Sequence, residues 1–404
     1  MTANRRSPAA PNERELRLSR IGRALTFSFG AAVLVAGGVF GGLWVLLEVE
    51  EIGTTAKLDA KTLFDLVKLS FGVVAGSGAL VALVVAYRRQ RVDEAGAHRE
   101  ATRLHTERFS QAVDKLGSDS PAVRLGGVHA LAGLADDAPT QDLRQTCIDV
   151  LCAYLQLPFA PDPGNDPAHQ DEHHRYLAFR KVRHTILRLI GDHYRRPRGT
   201  HRSWQGCDLD LTDVTIDSSM DFSGATFSGG TVDFTEATFS GGTVDFTEAT
   251  FSGGTVYFIG ATFSTDGAVE FRGATFSTGG AVNFLGATFS TDSGVFFRGA
   301  TFSGGTVDFS VADFSGGTVD FTDATFSDGT VEFRGAKFYD GTVDFRRATF
   351  SDDSTVNFTN ARFSGATVDF SAATGPAPQG VLAAVGTPVR SGVVLSSAWL
   401  PPVP

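Results

Sequence analysis

The 404-residue chain has little cysteine, methionine or tryptophan: three, two and three residues. Three thiols, Cys147, Cys152 and Cys207, are too few for a disulfide framework and fit a reducing compartment. Cys147 and Cys152 lie five apart in a helical pattern, a spacing that points them to different faces. No nucleophile–base–acid set stands out, and nothing resembles GxxxxGK[ST]. The many Gly-Gly pairs recur with a period, so they read as turns and not as a phosphate loop. Basic residues are scarce in the second half: residues 205–374 hold 19 Asp and 4 Glu against 7 Lys and Arg. The net charge of −10 leaves the first 204 residues at about +5, which implies different surroundings for the two halves.

Charge is also missing from two stretches near the start. Residues 24–47 form an uncharged run of 24, about 36 Å as a helix, enough to cross a bilayer core of about 30 Å. Residues 69–87 give a second run. Arg14, Arg17, Arg20 and Arg23 precede the first, and Arg88, Arg89 and Arg91 follow the second. The positive-inside rule then predicts a two-helix transmembrane hairpin: a basic cytoplasmic segment 1–23, spans 24–47 and 69–87, and a short external loop 48–68. The predicted localisation is the bacterial inner or plasma membrane, with both terminal regions cytoplasmic. The pairs Gly37/Gly41, Gly38/Gly42 and Gly72/Gly76 would let helices approach closely, within the hairpin or in a homodimer.

Residues 88–200 change to helical periodicity and predict a small module of three or four antiparallel helices. Leu104, Phe109, Val113 and Leu116 make one stripe. After Ser120 and Pro121, a cap and first-turn pair, Val123, Val128, Leu131 and Leu134 make a second. Leu143, Cys147, Leu151, Tyr154 and Leu155 form a third, and Phe179, Val182, Ile186, Leu189 and Ile190 a fourth. Around the fourth stand Arg175, Arg180, Lys181, Arg183 and Arg188, read as a solvated face. His169, His173, His174 and His184 lack closing partners at zinc-ligand spacing, so no metal is expected.

From Phe222 onward Phe recurs at spacings that alternate five with seven or eight, and 26 of the 34 Phe fall in 205–374. Each unit of 12 or 13 residues presents Val, Phe, Ala and Phe at inward positions, with Asp, Thr and Ser between. Alternation in "TVDF" predicts a short strand, and "SGG", "TGG" and "SDG" predict turns. Two Phe, a Val and an Ala would overfill a 12-residue coil. A coil of about 24 residues with four short faces gives them room, and stacking the coils buries them. Phe296 replaces the polar residue expected beside Phe297 and should point outward.

"ATFSG" and "VDFTE" resemble the units of pentapeptide-repeat proteins. That resemblance implies a right-handed parallel β-helix with, for example, Phe227 and Ala225, and Phe234 and Val232, pointing inward. The likeness runs back through Leu211, Ile216 and Met220 and covers about 170 residues. The extra two or three residues after every second unit depart from the plain pattern and put a square cross-section in question. The layout as a whole is similar to a bacterial subgroup with two membrane spans, a helical segment and C-terminal repeats. The Pro-rich segment 375–404 is expected to be a tail or a cap, with Val393 to Leu400 covering the last coil.

These readings predict no catalysis and no cofactor. They favour a membrane-anchored cytoplasmic scaffold that meets a protein partner, expected to be basic, and no nucleic acid. A column of carboxylates along one side of the stack, including Asp233, Asp245, Asp308, Asp320 and Asp344, is the candidate partner-binding surface. Two alternatives remain: a DNA-mimicking acidic rod that inhibits a type II topoisomerase, as some pentapeptide-repeat proteins do, and an accessory subunit of a membrane signalling or transport complex.

Overall fold

A computed structural model describes residues 60–400 apart from 160–161, 165, 265–266, 387–388 and 390–391, together with five scattered residues before 60. The chain divides into two compact units, 1–100 and 101–404. The expected hairpin is not supported. Its first span, 24–47, falls almost entirely outside the described residues. Among the described residues no helix is long and apolar enough to cross a membrane. The second expected span is not a separate element: 69–87 belongs to a 57-residue helix, α1 (Ala60–Leu116), which continues unbroken through Arg88, Arg89 and Arg91 into a polar stretch.

In the second unit, α2 (Pro121–Asp136), α3 (Gln141–Gln156) and α4 (Gln170–Tyr194) follow the end of α1. Thr140 caps α3 by accepting from Leu143 N, which meets one of the free first-turn donors. Two apolar stripes differ from expectation at their ends. Leu104 and Val123 are exposed, while His105, Ala112 and Leu116 are buried on α1. Cys147 and Cys152 are both buried, because neighbours cover more than one face of α3.

A solenoid of about seven coils follows, every strand pair within it parallel. The coil is 24 residues from Val232 to Val256 and 26 from Val256 to Val282. Strands fall on four faces in chain order. The first face holds seven, from Leu209–Asp210 to Thr355–Asn357, and the fourth holds six, from Thr226–Phe227 to Thr349–Phe350. The second and third faces merge into one sheet. Two eight-residue strands, Asp313–Asp320 and Lys337–Asp344, run around the corner between them. The inserted residues thus lengthen one kind of corner and leave the stack intact.

The other kind of corner is a tight turn. In Phe234-Thr235-Glu236-Ala237, Ala237 N donates to Phe234 O at 3.1 Å and Glu236 has φ 58°. A turn with positive φ at its third residue favours Gly or Asn. Gly260, Gly286, Gly335 and Asn360 take that place in other coils, but Val311 also does, with φ 52°.

The interior is four columns of Phe. One runs 222, 246, 271, 297, 321, 345, 370, with rings 4.7–5.1 Å apart and within 9° of parallel. The others start at Phe227, Phe234 and Phe239. The core Phe and the inward Val and Ala residues are buried. Phe296 stays outside the core, half-buried between Glu270 and Asp320 in register. Its ring takes the space above Gly294, where a Cβ would sit 2.6 Å from Phe296 Cζ.

The helices of this unit close the first coil. Tyr194 packs on Phe222 and Phe227, both at 5.6 Å, and its hydroxyl donates to Cys207 O. At Gly191, α4 comes so close that a Cβ would lie 2.5 Å from Asp221 O. At the far end Val393 pairs with Val368, and Trp399 packs on Phe370 and Phe350.

Phe309 lies inside a column and Phe296 outside it. Phe309→Ala should therefore lower stability by about 3–5 kcal/mol through lost burial and a cavity, while Phe296→Ser should cost far less. Urea denaturation of the two variants checks this, and equal losses would contradict the assigned inward face.

Candidate interaction surface

The outward residue before each first-face ring position, Leu211 in the first coil and Phe in the others, forms a column in register: Asp210, Asp233, Tyr257, Asn283, Asp308, Glu332, Asn357. A second column on the third face reads Asp221, Asp245, Glu270, Phe296, Asp320, Asp344, Asp369. The five carboxylates expected to share one side are therefore split. Asp233 and Asp308 belong to the first column, and Asp245, Asp320 and Asp344 to the second. Alternate Phe residues lie on different faces, so a sequence period of two units cannot distinguish one column from two.

These carboxylates also serve the fold. Each accepts the backbone N–H two residues on: Asp233 from Thr235, Asp245 from Thr247, Asp308 from Ser310, Asp320 from Thr322 and Asp344 from Arg346, at 2.7–2.9 Å. Asn283 and Asn357 accept in the same way from Leu285 and Thr359. A short side chain with an acceptor oxygen fastens the entry to the tight turn. Asp344 is buried and paired with Arg346, while the other four are half-buried. Arginines along the turns after the third face bind part of the remaining charge, Arg272 to Glu270 at 2.6 Å and Arg347 to Asp323 at 2.7 Å.

The basic face of α4 is solvated as expected at Arg175, Lys181 and Arg188, but Arg180 and Arg183 meet the first coil instead. Arg180 Nε donates to Asp217 Oδ2 at 2.6 Å, and His184 lies 2.8 Å from Asp217 Oδ1. Arg183 is buried and donates to Leu155 O and Thr215 O. From α3, Gln145 and Gln156 donate to Asp208 O and Asp210 O. Thr215 O, Asp208 O and Asp210 O lie on the first coil, whose outer edge pairs with no preceding strand among the described residues. Periodicity could not show this role, because a polar side chain that meets a backbone edge looks like one that meets water.

Two clefts lie among the helices. One, of about 520 Å³, is lined by His105, Arg108, Lys115, Leu134 and Asp137. The other, of about 500 Å³, is lined by Arg124, Tyr154, Phe159, Tyr176, Phe179 and Arg183. In the second, Arg124 and Arg183 stack over Phe179 and Phe159 at 4.6 and 5.0 Å. His173 bonds Asp162 at 2.7 Å, away from the His184–Asp217 pair. Among the described residues no group of three or more His, Cys, Asp or Glu is placed to hold a metal ion. All three cysteines are buried as free thiols, and burial raises Cys147 to about 11 and Cys152 to about 12.

No protein-family model matches the chain, and no curated protein matches it either.

Asp217 supplies a pH test of the junction between helices and solenoid. Burial works to raise its pKa, but hydrogen bonds from His184 and Arg180 outweigh burial and hold it at about 2, below the ordinary 3.8. A carboxylate depressed in the folded state stabilises above its unfolded pKa. That contribution, about 2 kcal/mol, is lost as pH falls from about 4 to about 2. Asp217→Asn should remove this part of the acid sensitivity, seen in melting temperatures across that window. An unchanged acid profile would show that the pair does not hold the junction.

Proposed function

We propose that the chain is a non-catalytic scaffold whose solenoid presents its lateral faces to a protein partner. The observation that carries the reading is that both ends of the stack are covered, by Tyr194 and the α3–α4 side chains at one end and by Val393 and Trp399 at the other. The lateral faces are then the sheet surface left for association. Their repeated Asp and Glu, set on a rigid core, favour a basic partner. We also infer a right-handed solenoid of the pentapeptide-repeat kind, a reading supported by parallel coils of four faces with Ala or Val two residues before every inward Phe after Phe222. Membrane attachment and a cytoplasmic solenoid remain part of this proposal on the composition of 24–47 and 69–87 and their Arg flanks alone.

Asp→Asn at positions 233, 245, 308, 320 and 344 tests the reading. Asn keeps the acceptor that fastens each turn, as Asn283 and Asn357 do, and removes the charge. Proximity labelling in the native cell should identify a protein that the full chain captures in a salt-sensitive way and that the five-fold variant loses. Equal labelling by both chains would remove the carboxylates from the mechanism, and no reproducible neighbour would overturn the scaffold. In the same cells, release of the chain by alkaline carbonate would overturn the membrane attachment.

A further inference from the structure

The tight turns that follow the first face stack coil on coil, and their exposed positions change character in the middle of the rod. The second turn residue reads Thr212, Thr235, Ile259, Leu285, Ser310, Arg334, Thr359, and the third reads Asp213, Glu236, Gly260, Gly286, Val311, Gly335, Asn360. Gly260 N donates to Leu285 O, and Gly286 N to Ser310 O, so Ile259, Leu285 and Val311 occupy three consecutive coils at one corner. Tyr257, two residues before Ile259, replaces the Asp, Asn or Glu of its column. Leu285 is 37% exposed and Val311 53%.

Val311 is the informative member. A β-branched residue at positive φ is a genuine outlier, and Gly fills the same position in three other coils. Val311 Cγ1 lies against Gly335 of the next coil, but with half of the residue in solvent the burial gained is small beside the strain. Strain kept for so small a packing return is a reason to look for a partner. The surroundings are acidic. Asp233 and Glu236 lie on one side, Asp308 and Glu332 on the other, while Arg334 and Lys337 pair with Glu332 and Asp313.

We propose that this corner docks a basic protein segment through a single apolar side chain, which packs on Ile259, Leu285 and Val311 while its Lys or Arg neighbours meet Asp233, Glu236 and Asp308. The proposal rests on the scaffold reading and locates its contact.

The test uses the full chain and two fluorescent peptides of equal charge, Lys-Lys-Phe-Lys-Lys and Lys-Lys-Ser-Lys-Lys, in anisotropy titrations at low salt. The Phe peptide should bind about tenfold tighter, because one aromatic ring is taken out of water. In the variant Ile259→Ser, Leu285→Ser, Val311→Gly the two peptides should bind alike. Val311→Gly alone should raise the melting temperature by relieving the turn, so weaker binding in that variant cannot be ascribed to unfolding. Equal binding of both peptides to the natural chain would overturn the apolar contact and leave the charged scaffold standing. Binding of neither would overturn the docking site. Self-association in sedimentation, lost in the triple variant, would also overturn it, because the occupant would then be a second copy.

Discussion

Two spacings coincide in this solenoid, and the rest of the structure follows from that match. Parallel strands hydrogen-bond at about 4.8 Å. The Phe rings of successive coils stack at 4.7–5.1 Å, nearly parallel. One Phe per face per coil can thus satisfy the backbone ladder and ring packing together, with neither stretched to suit the other. A larger ring system would crowd the column, and a smaller side chain would leave a gap within it. The narrow choice of inward residues, Phe with Val or Ala, reflects this match. In the first coil Leu211 and Ile216 take the ring positions of two columns, in register with Phe234 and Phe239, while Phe222 and Phe227 head the other two.

The same ladder makes the ends costly. A parallel stack leaves a row of unpaired carbonyl and amide groups at each end, a template for another chain. Here the first edge is met by side chains rather than a strand: Gln145, Gln156, Arg180, Arg183 and Tyr194 donate to carbonyls from Cys207 to Asp217. The last edge is met by backbone, with Gln379 O accepting from Phe358 N and Val394 O from Phe370 N. The two solutions differ because a helix has no spare backbone donors along its length and must use its side chains. This is why α3 and α4 carry so many polar residues toward a buried interface.

That division also explains what was legible in the chain. The Phe period, the strand-and-turn alternation and the four-faced coil could be read directly, since each coil repeats the same demand. The helical segment could be recognised but not its purpose: Arg180 and Arg183 look solvated until the edge they serve is present. Periodicity places Leu104 and Val123 in apolar stripes because it marks a face without saying whether anything covers it. The acidic surface was half legible. Asp233 and Asp245 share one sequence pattern, and only the fold places them on different faces.

The regular surface residues are weak guides to function. An Asp that fastens a turn through its Oδ1 would be selected by the fold whether or not anything binds it, and Asn283 and Asn357 show that charge is not required there. The information lies where the pattern fails for little structural gain. Phe296 fails it with an evident accommodation, since Gly294 makes room for the ring. Arg347, at positive φ, gains an ion pair with Asp323 of the preceding coil. Val311 sets Cγ1 against Gly335 of the next coil, but with 53% of the residue exposed that contact is a small return for its strain. In a molecule whose core and corners are set by repetition, a poorly compensated exception on an exposed corner is a stronger pointer to a partner than any number of regular carboxylates.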